Sequence, residues 1–374
     1  MTLMYENTPI TWDIREFNKL LRWSCDHKMS DLLLNPSQPI YIRVDGCYRP
    51  VTSRAIQSSE IAHLVPALTD STSAESLLRG GKPIDFSYKF QIEDRILKRF
   101  RGSASACLGL GTSGLSVTMR SIPGVPPSLD DLEVEEELRR IMFPNRGLVI
   151  VTGTMGSGKS TLIAAQLRHI RINRPDLYIL TYEEPIEFDL MGIPGAKGPI
   201  AQTQIGSHVE KFSLAAPNAA RRAADVVLIG ESRDKETFKE TLVTTDLGVL
   251  AYTTAHTRSV PETMRRIMMQ FDPSEWSTIL NLLSTSLKAI VSQRLEPRVG
   301  GGRIAVKEWL EFTPEIRKHL SELRDENSWV AYINEQLHKT GNSMVQYAQR
   351  LLNKGLIEDS VFENIKKDSP YGMA

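Results

Sequence analysis

The fold of the middle of this chain is decided by one stretch, Leu148-Val-Ile-Val-Thr-Gly153-Thr-Met-Gly-Ser-Gly158-Lys159-Ser160-Thr161. It matches the pattern G-x-x-x-x-G-K-[ST], whose glycines allow successive backbone N–H groups to point at phosphate oxygens. An apolar run, 148–151, comes before the loop, and the segment 162–170 after it is typical of a helix. A strand, a phosphate-binding loop and a helix in this order predict a nucleoside triphosphate site.

The loop residues predict ATP and Mg²⁺ as the ligands of this site. We expect Lys159 to reach the β- and γ-phosphates and the hydroxyl of Ser160 to bind Mg²⁺. The residues predicted to contact the nucleotide are the glycines and polar residues of the loop and of the first helical turn: Gly153, Thr154, Gly156, Ser157, Gly158, Lys159, Ser160 and Thr161.

Three further apolar runs follow the loop, at 178–180, 226–229 and 249–252, and helical segments separate them. Continuous apolar runs that alternate with helices are typical of a parallel sheet covered on both faces. We therefore predict an α/β domain with a parallel sheet around the loop. The chain from about residue 314 onwards is polar and is predicted to be helical.

Acidic residues stand at the ends of two of these runs. Glu231 follows the run 226–229, and Glu183 opens the cluster Glu183-Glu-Pro-Ile-Glu187. The carboxyl ends of parallel strands meet at the ligand-binding edge of a sheet, so both carboxylates are candidates for catalysis and, with Ser160, for the metal site. The alternatives are an acid that complements a helix dipole at Glu231 and a polar strand end at Glu183.

His256 stands just past the fourth apolar run, in Ala251-Tyr-Thr-Thr-Ala-His256-Thr257. At a strand end among polar residues it is a candidate phosphate contact. A histidine that only satisfies the structure is the alternative, because a lone histidine carries no specific chemistry.

The first third of the chain has a different pattern. Residues 11–25 have helical spacing, whereas apolar residues alternate with polar ones around 40–44, 86–90 and 115–122. Alternation is typical of half-buried antiparallel strands, so we predict a smaller α+β domain over residues 1–122. Pro123-Gly-Val-Pro-Pro127 is predicted to be a linker, and residues 128–374 the ATPase domain.

Composition limits the partners. The chain has 45 Lys and Arg against 45 Asp and Glu, which disfavours a protein that mainly coats nucleic acid, so we expect no direct nucleic-acid binding. Three cysteines without close pairing indicate neither a disulfide framework nor a zinc site. The sequence shows no signal peptide and no apolar stretch of about 20 residues, so we expect a cytoplasmic protein.

Taken together, the blocks resemble the secretion ATPase superfamily of type II secretion, type IV pili and type IV secretion. Residues 179–187 resemble its Asp box, 230–234 its Walker B motif and 254–257 the second half of its His box. The chain is most similar to the DotB/TraJ group of Dot/Icm and IncI-type conjugative systems. Residues that carry the group resemblance are Ser105-Ala-Cys-Leu108, Tyr182-Glu183 and Arg303-Ile-Ala-Val-Lys-Glu-Trp309, and those of the first domain are Ser30-Asp31-Leu32, Ile42-Arg-Val-Asp-Gly46, Arg99-Phe-Arg101 and Met119-Arg120-Ser-Ile-Pro123.

The resemblance implies a hexameric ring of subunits, each with a PAS-like N-terminal domain and a RecA-like ATPase domain. By this analogy Arg101 and Arg120 are arginine fingers, in the same subunit or in the adjacent one. The implied partners are the other subunits, inner-membrane components of a secretion or conjugation machine, and a second ATPase of that machine. These partners would hold a cytoplasmic protein at the inner membrane.

Two residues depart from the family pattern, and the first, Glu184 where many members carry Asp in the Asp box, keeps the charge. Val249 occupies the position of the first histidine of the His box, and a valine can neither donate to a phosphate nor relay a proton. We therefore expect that His256 acts alone, or that the first histidine is dispensable. The alternatives to a conjugation or secretion ATPase are a type IV pilus motor, a DNA-pumping ATPase and a scaffold that binds ATP but barely hydrolyses it.

Overall fold

The computed structural model describes residues 3–44, 46–93, 96–109, 111, 113–122, 124–206, 208–232, 234–323 and 325–369, with only the backbone of 92, 93, 96 and 97. The chain divides into two compact units, residues 1–124 and 125–374, which are described separately. The predicted linker 123–127 spans this division, and its first residue, Pro123, lies outside the described residues.

Unit 1 is a sheet with helices on one side. Its described strands form one antiparallel sheet in the order β3-β2-β1-β6-β5-β4. The elements are α1 (Ile14–Asp26), β1 (Asp31–Leu34), β2 (Tyr41–Val44), β3 (Cys47–Pro50), α2 (Ser58–Thr69), α3 (Ala74–Arg79), β4 (Ile84–Glu93), β5 (Ile96–Leu108) and β6 (Ser113–Ile122).

The alternation in β6 shows why this sheet has one apolar face. Leu115, Val117 and Met119 are buried in the core of unit 1, whereas Thr118 and Arg120, which point the other way, are exposed. Successive side chains of a strand lie on opposite faces, so the polar positions share the outer face of the sheet. Helix α1 begins at the N-cap Asp13, whose carboxylate accepts from two backbone N–H groups of the first turn.

Unit 2 is built around a second sheet, in the order β13-β12-β7-β11-β10-β8-β9. Every neighbouring pair in its described part is parallel except β12 and β13 at one edge. Its strands are β7 (Gly147–Thr152), β8 (Ile179–Glu183), β9 (Ile200–Gln204), β10 (Val226–Ile229), β11 (Leu250–Ala255), β12 (Leu287–Pro297) and β13 (Arg303–Glu311).

Helices cover both faces of this sheet. Alternate residues of the strands belong to two different apolar clusters: Val149 and Val151 pack on one face, and Leu148 and Ile150 on the other. The helices are α4 (Glu136–Ile141), α5 (Lys159–Asn173), α6 (Ala215–Arg221), α7 (Lys235–Asp246), α8 (Val260–Met268), α9 (Trp276–Ser286), α10 (Pro314–Glu322), α11 (Glu326–Thr340), α12 (Met344–Asn353) and α13 (Asp359–Asp368).

The α/β class is therefore confirmed, with mixed sheets. The four apolar runs form β7, β8, β10 and β11, which pair in a common register at the centre of the sheet. The sequence patterns missed β9, β12 and β13. The first of these is a polar edge strand, Ile200-Ala-Gln-Thr-Gln204, whose side chains are mostly half-buried, so its composition carries little signal.

Helices α11 and α12 lie on opposite faces of the sheet, because α11 belongs to the same apolar cluster as Ile150 and α12 to the same cluster as Val151. The connection between them passes β13 at the sheet edge, where the N–H of Trp309 donates to the carbonyl of Asn342. The polar C-terminal part of the chain thus packs on both faces of the sheet and passes its edge at β13.

Candidate nucleotide-binding and catalytic site

The phosphate-binding loop lies between β7 and α5, where two glycines make its tight path possible. Gly158 has φ +86° and precedes the first residue of α5, and no side chain caps that helix. A Cβ on Gly153, with φ +149°, would lie 2.3 Å from the carbonyl oxygen of Gln293. The first-turn N–H groups of α5 are therefore left to a ligand, and the positive end of the helix favours an anion there.

Gln293 on β12 supports the loop from behind. Its side-chain Nε2 donates to the carbonyl oxygen of Ser157 at 2.6 Å, and the residue is 5% exposed. A Cβ on Gly158 would lie 2.8 Å from the same Nε2. The sequence reasoning missed this residue because it missed β12, although the apolar run Ala289-Ile-Val291 would have indicated another strand.

Lys159 lies folded back on the loop. Its Nζ donates to the carbonyl oxygens of Gly153 at 2.9 Å and Thr154 at 3.1 Å, and the residue is 8% exposed. Burial lowers the pKa of the Lys159 ammonium, and the carboxylates of Glu231 and Glu187 oppose that effect. The site therefore places one buried cation within the field of two carboxylates from neighbouring strand ends.

Glu231 and His256 contact each other at this edge. Nε2 of His256 lies 3.1 Å from Oε1 of Glu231, a distance at which an Nε2–H donates to the carboxylate. The backbone around Glu231 is held by β11: Thr254 donates to the carbonyl of Gly230 at 2.6 Å, and the hydroxyls of Ser232 and Thr253 are 2.9 Å apart. These bonds fix the backbone from which the Glu231 side chain extends.

Glu183 ends β8, beside the start of the Glu231 segment. The N–H of Gly230 donates to the carbonyl of Tyr182 at 2.8 Å, and a Cβ on Gly230 would lie 3.3 Å from Cα of Glu183. The Glu183 carboxylate accepts from Thr181 at 2.6 Å and from Gln202 at 3.3 Å. Desolvation raises the pKa of Glu183 despite these donors.

The loop that carries His256 is tied to the end of β7. The hydroxyls of Thr152 and Thr257 are 2.6 Å apart, and the N–H of Thr257 donates to Thr152 at 3.0 Å. The hydroxyl of Thr257 also lies 2.5 Å from that of Thr263 in α8. Movement of the phosphate-binding loop and movement of the His256 loop are therefore linked through buried threonines.

The donors at this edge fit Mg²⁺. A hydroxyl from Ser160 in the first turn of α5 and carboxylates at the ends of β8 and β10 are hard oxygen ligands, which this ion prefers. Among the described residues there is no cluster of three or more His, Cys, Asp or Glu side chains that could hold a metal by themselves. Mg²⁺ in phosphate-transfer sites takes few protein ligands, together with phosphate oxygens and water, so this donor set is of the right kind.

A cavity of about 390 Å³ opens beside the first turn of α5. Gly158, Thr161 and Leu162 line one side of it, and Leu295 of β12 lines another. The remaining walls come from the segment before α4 and from the β12–β13 hairpin, and they include Leu132, Val134, Arg298, Ile304, Ala305 and Lys307. The cavity adjoins the phosphate-binding loop, and its lining mixes apolar groups with cations and with the acids Asp131 and Glu133.

Arg101 and Arg120 belong to unit 1, where the hairpin of β5 and β6 brings them directly opposite each other. Asp31 of β1 lies next in the same row, and its carboxylate accepts from Nε of Arg120 at 2.8 Å. The side chain of Asp31 is 4% exposed, whereas that of Arg120 is 69% exposed. The buried acid therefore anchors an arginine on the outer face of the sheet.

Val249, which occupies the position of the first histidine of the family's His box, lies far from His256. Val249 precedes β11 at its N-terminal end and is buried in the apolar cluster around Tyr182 and Val227. His256 follows the other end of the same strand, and seven residues of extended chain span roughly 23 Å. A histidine at position 249 would lie at the edge of the sheet away from the phosphate-binding loop, which favours the alternative that the first histidine is dispensable.

The structure thus brings the loop residues, Glu183, Glu231 and His256 to one edge of one sheet. It adds Gln293, whose strand follows from the apolar run 289–291, and Glu187, which belongs to the acidic cluster after β8. Arg101 and Arg120 lie together in the other unit. A parallel sheet with a phosphate-binding loop and two acids at its carboxyl edge defines the class of P-loop nucleotide-binding proteins.

Comparison with known proteins gives the family. The model of the family described as Type II/IV secretion system protein matches residues 14–300. The type IV pilus retractation ATPase PilT of Pseudomonas aeruginosa is 30% identical over 342 residues, covering 91% of this chain and 94% of that protein. The chain belongs to the type II/IV secretion system protein family, which confirms the predicted resemblance to secretion ATPases.

Two solved structures are similar over nearly the whole chain. The Legionella pneumophila ATPase DotB has a TM-score of 0.85 and 30% identity, covering 97% of this chain and 98% of that one. The pilus retraction motor PilT with bound ADP has a TM-score of 0.81 and 26% identity, covering 94% and 97%. In the part of the chain that is described, no helix is both long and apolar enough to span a membrane.

Proposed function

We propose that this protein is a Mg²⁺-dependent ATPase that drives a type IV secretion or conjugative transfer machine. The observation that carries the proposal is the common sheet edge at which Lys159 in a phosphate-binding loop faces the Glu231–His256 pair. The family supports ATPase activity, and the PilT relative is described with bound ADP. These findings favour an enzyme over a scaffold that only binds ATP.

The proposed reaction is in-line attack of water on the γ-phosphorus, with cleavage of the bond to the β-phosphate bridging oxygen. Glu231 orients the water and accepts its proton, while His256 holds Glu231 through the 3.1 Å contact and senses the γ-phosphate. Lys159 turns from the loop carbonyls to the β- and γ-phosphates. Ser160, Glu183 and Glu231 would hold Mg²⁺ or its waters, and the bound ion would neutralise charge on the phosphates.

The cavity beside α5 is the proposed place of the nucleoside. It adjoins Thr161, which follows the phosphate-contacting turn, and Leu162 and Leu295 offer apolar surface to a base. A volume of about 390 Å³ lies within the range of small-ligand sites. Its position supports binding of a nucleotide rather than of a bare phosphate.

The proposed active form is a ring of six subunits, with a PAS-like unit 1 and a RecA-like unit 2. Arg101 and Arg120 are proposed as arginine fingers, because the hairpin of β5 and β6 places them side by side on the outer face of the sheet, with one buried carboxylate, Asp31, bonded to Arg120. Inner-membrane components of the machine, and a second ATPase, are the proposed further partners. The protein would then work in the cytoplasm, at the surface of the inner membrane.

A mixing experiment tests the ring and the arginines together. Arg101→Ala with Arg120→Ala should lower ATP hydrolysis about 10³-fold, since an arginine finger contributes that much. If the arginines act on a neighbour, mixing this variant with Glu231→Gln should restore part of the activity that each lacks. Full activity of the arginine variant alone would contradict the assignment, and inactivity of the mixture would place the arginines in their own subunit's site.

A pilus motor is the second candidate, which the similarity to the pilus ATPase PilT favours directly. It uses the same proposed chemistry, and only the machine differs. Conjugation or secretion genes beside the gene for this protein would support the first function, whereas pilin genes would support the second. Deletion of the gene separates them: loss of transfer with normal pilus retraction supports the first, and the reverse supports the second.

A further inference from the structure

A buried carboxylate lies beside the catalytic edge and has no part in the proposed chemistry. Glu308 belongs to the segment 303–309 of β13 and pairs with Ser292 of β12, which pairs in turn with Thr152. Thr152 is the last residue of β7 before the phosphate-binding loop. Glu308 is 6% exposed. Burying a carboxylate is costly unless it is hydrogen-bonded, so the hydrogen-bond partners of Glu308 indicate its role.

The two oxygens of Glu308 bind the beginnings of two helices. Oε1 accepts from the N–H of Val260, the first residue of α8, at 2.7 Å. Oε2 accepts from the N–H of Met344, the first residue of α12, at 3.1 Å. Helix N-termini attract negative charge, so each oxygen holds one helix. A glutamine offers only one acceptor and would leave one of these N–H groups facing an amide NH₂.

Val260 stands four residues after His256, and the segment between them is fixed along its length. Ser259 caps α8 by accepting from the N–H of Glu262 at 3.2 Å. The carbonyl of Arg258 accepts from the hydroxyl of Ser292 at 3.0 Å, on the strand that pairs with β13. Glu308 therefore holds the C-terminal end of the His256 loop, while the threonines around Thr257 hold its middle.

We propose that Glu308 is a positioning residue for the ATPase reaction. By holding the start of α8, it keeps the 256–259 loop where His256 meets the Glu231 carboxylate. The inference rests on the proposed function, and it assigns a role to the 303–309 segment of β13. Its prediction is specific: loss of one oxygen of Glu308 should slow catalysis while nucleotide affinity stays the same.

The test compares Glu308→Gln with Glu308→Asp, Ser259→Ala and Ser343→Ala. We expect Glu308→Gln to lower kcat about 10-fold, since small displacements of catalytic groups have effects of this order, with KM and the affinity for fluorescent ADP within about twofold. Glu308→Asp, which keeps both acceptors, should recover part of kcat. Amide hydrogen exchange of residues 254–263 should become faster in Glu308→Gln.

The matched control separates positioning from general loosening. Ser259→Ala removes the side-chain cap of α8 and should lower kcat in the same direction, whereas Ser343→Ala removes the cap of α12 and should leave it unchanged. Wild-type kcat in Glu308→Gln and Ser259→Ala, or equal losses in Ser343→Ala, would overturn the proposal. If Glu308→Gln does not fold, the two serine variants decide. A wild-type protein without ATPase activity would contradict the proposed function instead, and hydrogen exchange would still test Glu308.

Discussion

In unit 2 the parallel strands all end at one side of the sheet, the carboxyl edge, and all begin at the opposite edge. The two edges carry different residues. At the carboxyl edge, polar and charged side chains of Lys159, Glu183, Glu231 and His256 come from four strand ends. At the opposite edge lies a cavity of about 450 Å³, in whose lining small and apolar residues stand beside Asn145, Arg174 and Asp225. This lining includes Pro144, Ala220, Ala223, Ala224, Leu247, Gly248, Val249 and Leu250.

Strand direction explains the difference. Each helix that follows a parallel strand begins at the carboxyl edge, so its unpaired N–H groups and positive dipole end face that edge. The carbonyl ends of the helices face the other edge, where an anion would be repelled. The phosphate site is therefore expected at the carboxyl edge alone. Substitution of the same residue type should affect ATP hydrolysis at that edge and not at the other. The predictions below test this difference.

The largest effect is expected from lysines at the two edges. Lys159→Ala should reduce ATP hydrolysis by about 10³-fold or more, because removal of a preorganised phosphate contact costs this much. Lys288 near the start of β12 is partly buried at the opposite edge, and Lys288→Ala should keep hydrolysis within about twofold. Steady-state assays at equal protein concentration measure both. Similar losses of ATP hydrolysis in the two variants would contradict the expected difference between the two edges.

The next effect concerns the pH dependence of stability at the carboxyl edge. Desolvation raises the pKa of Glu308 to about 7 from its ordinary 4.5, although the N–H groups of Val260 and Met344 stabilise the ionised carboxylate. Its contribution to the free energy of unfolding is present below pH 4.5 and is lost as the pH rises through 7. Between pH 5.5 and 8 the loss is roughly 2 kcal/mol.

Urea unfolding of the wild type and of Glu308→Gln over this pH range measures that loss. The glutamine cannot ionise, so the stability difference between the two proteins should shift by this amount in favour of the variant as the pH rises. Parallel curves for the two proteins would show that Glu308 does not titrate in this range.

A smaller effect is expected at the support of the phosphate-binding loop. Gln293→Ala removes the donor to the Ser157 carbonyl and leaves space behind Gly158. We expect nucleotide affinity to fall about 10-fold, which corresponds to one buried hydrogen bond. Titration with fluorescent ADP measures the affinity. Unchanged affinity would mean that the loop holds its shape without β12.

The smallest effect is expected from Val249→His. The substitution restores the family residue at the apolar edge, roughly 23 Å along the strand from His256, so kcat and KM should change less than about twofold. Assays beside the wild type measure both constants. A several-fold gain in kcat would show that the two edges communicate and would restore the significance of this departure.

Much of the site could be predicted because its signals are local. The phosphate-binding loop, Glu231 and His256 each follow a short apolar run, and a parallel sheet brings such positions together. The roles of Gln293 and Glu308 could not be predicted, because their contacts depend on strand register: Gln293 contacts Ser157 across 136 residues of chain, and Glu308 contacts Val260 and Met344 across 48 and 36. Likewise, the burial of Asp31 under Arg120 depends on β1 pairing with β6, which alternation alone does not specify.

The most direct test of the central claim is steady-state ATP hydrolysis over a series of protein concentrations, for the wild type beside Glu231→Gln. Glu236→Gln, an exposed acid five residues further on, is the matched control. We predict that specific activity of the wild type rises with concentration as rings assemble, that Glu236→Gln follows it, and that Glu231→Gln is inactive. Hydrolysis by Glu231→Gln at the wild-type rate would contradict the account.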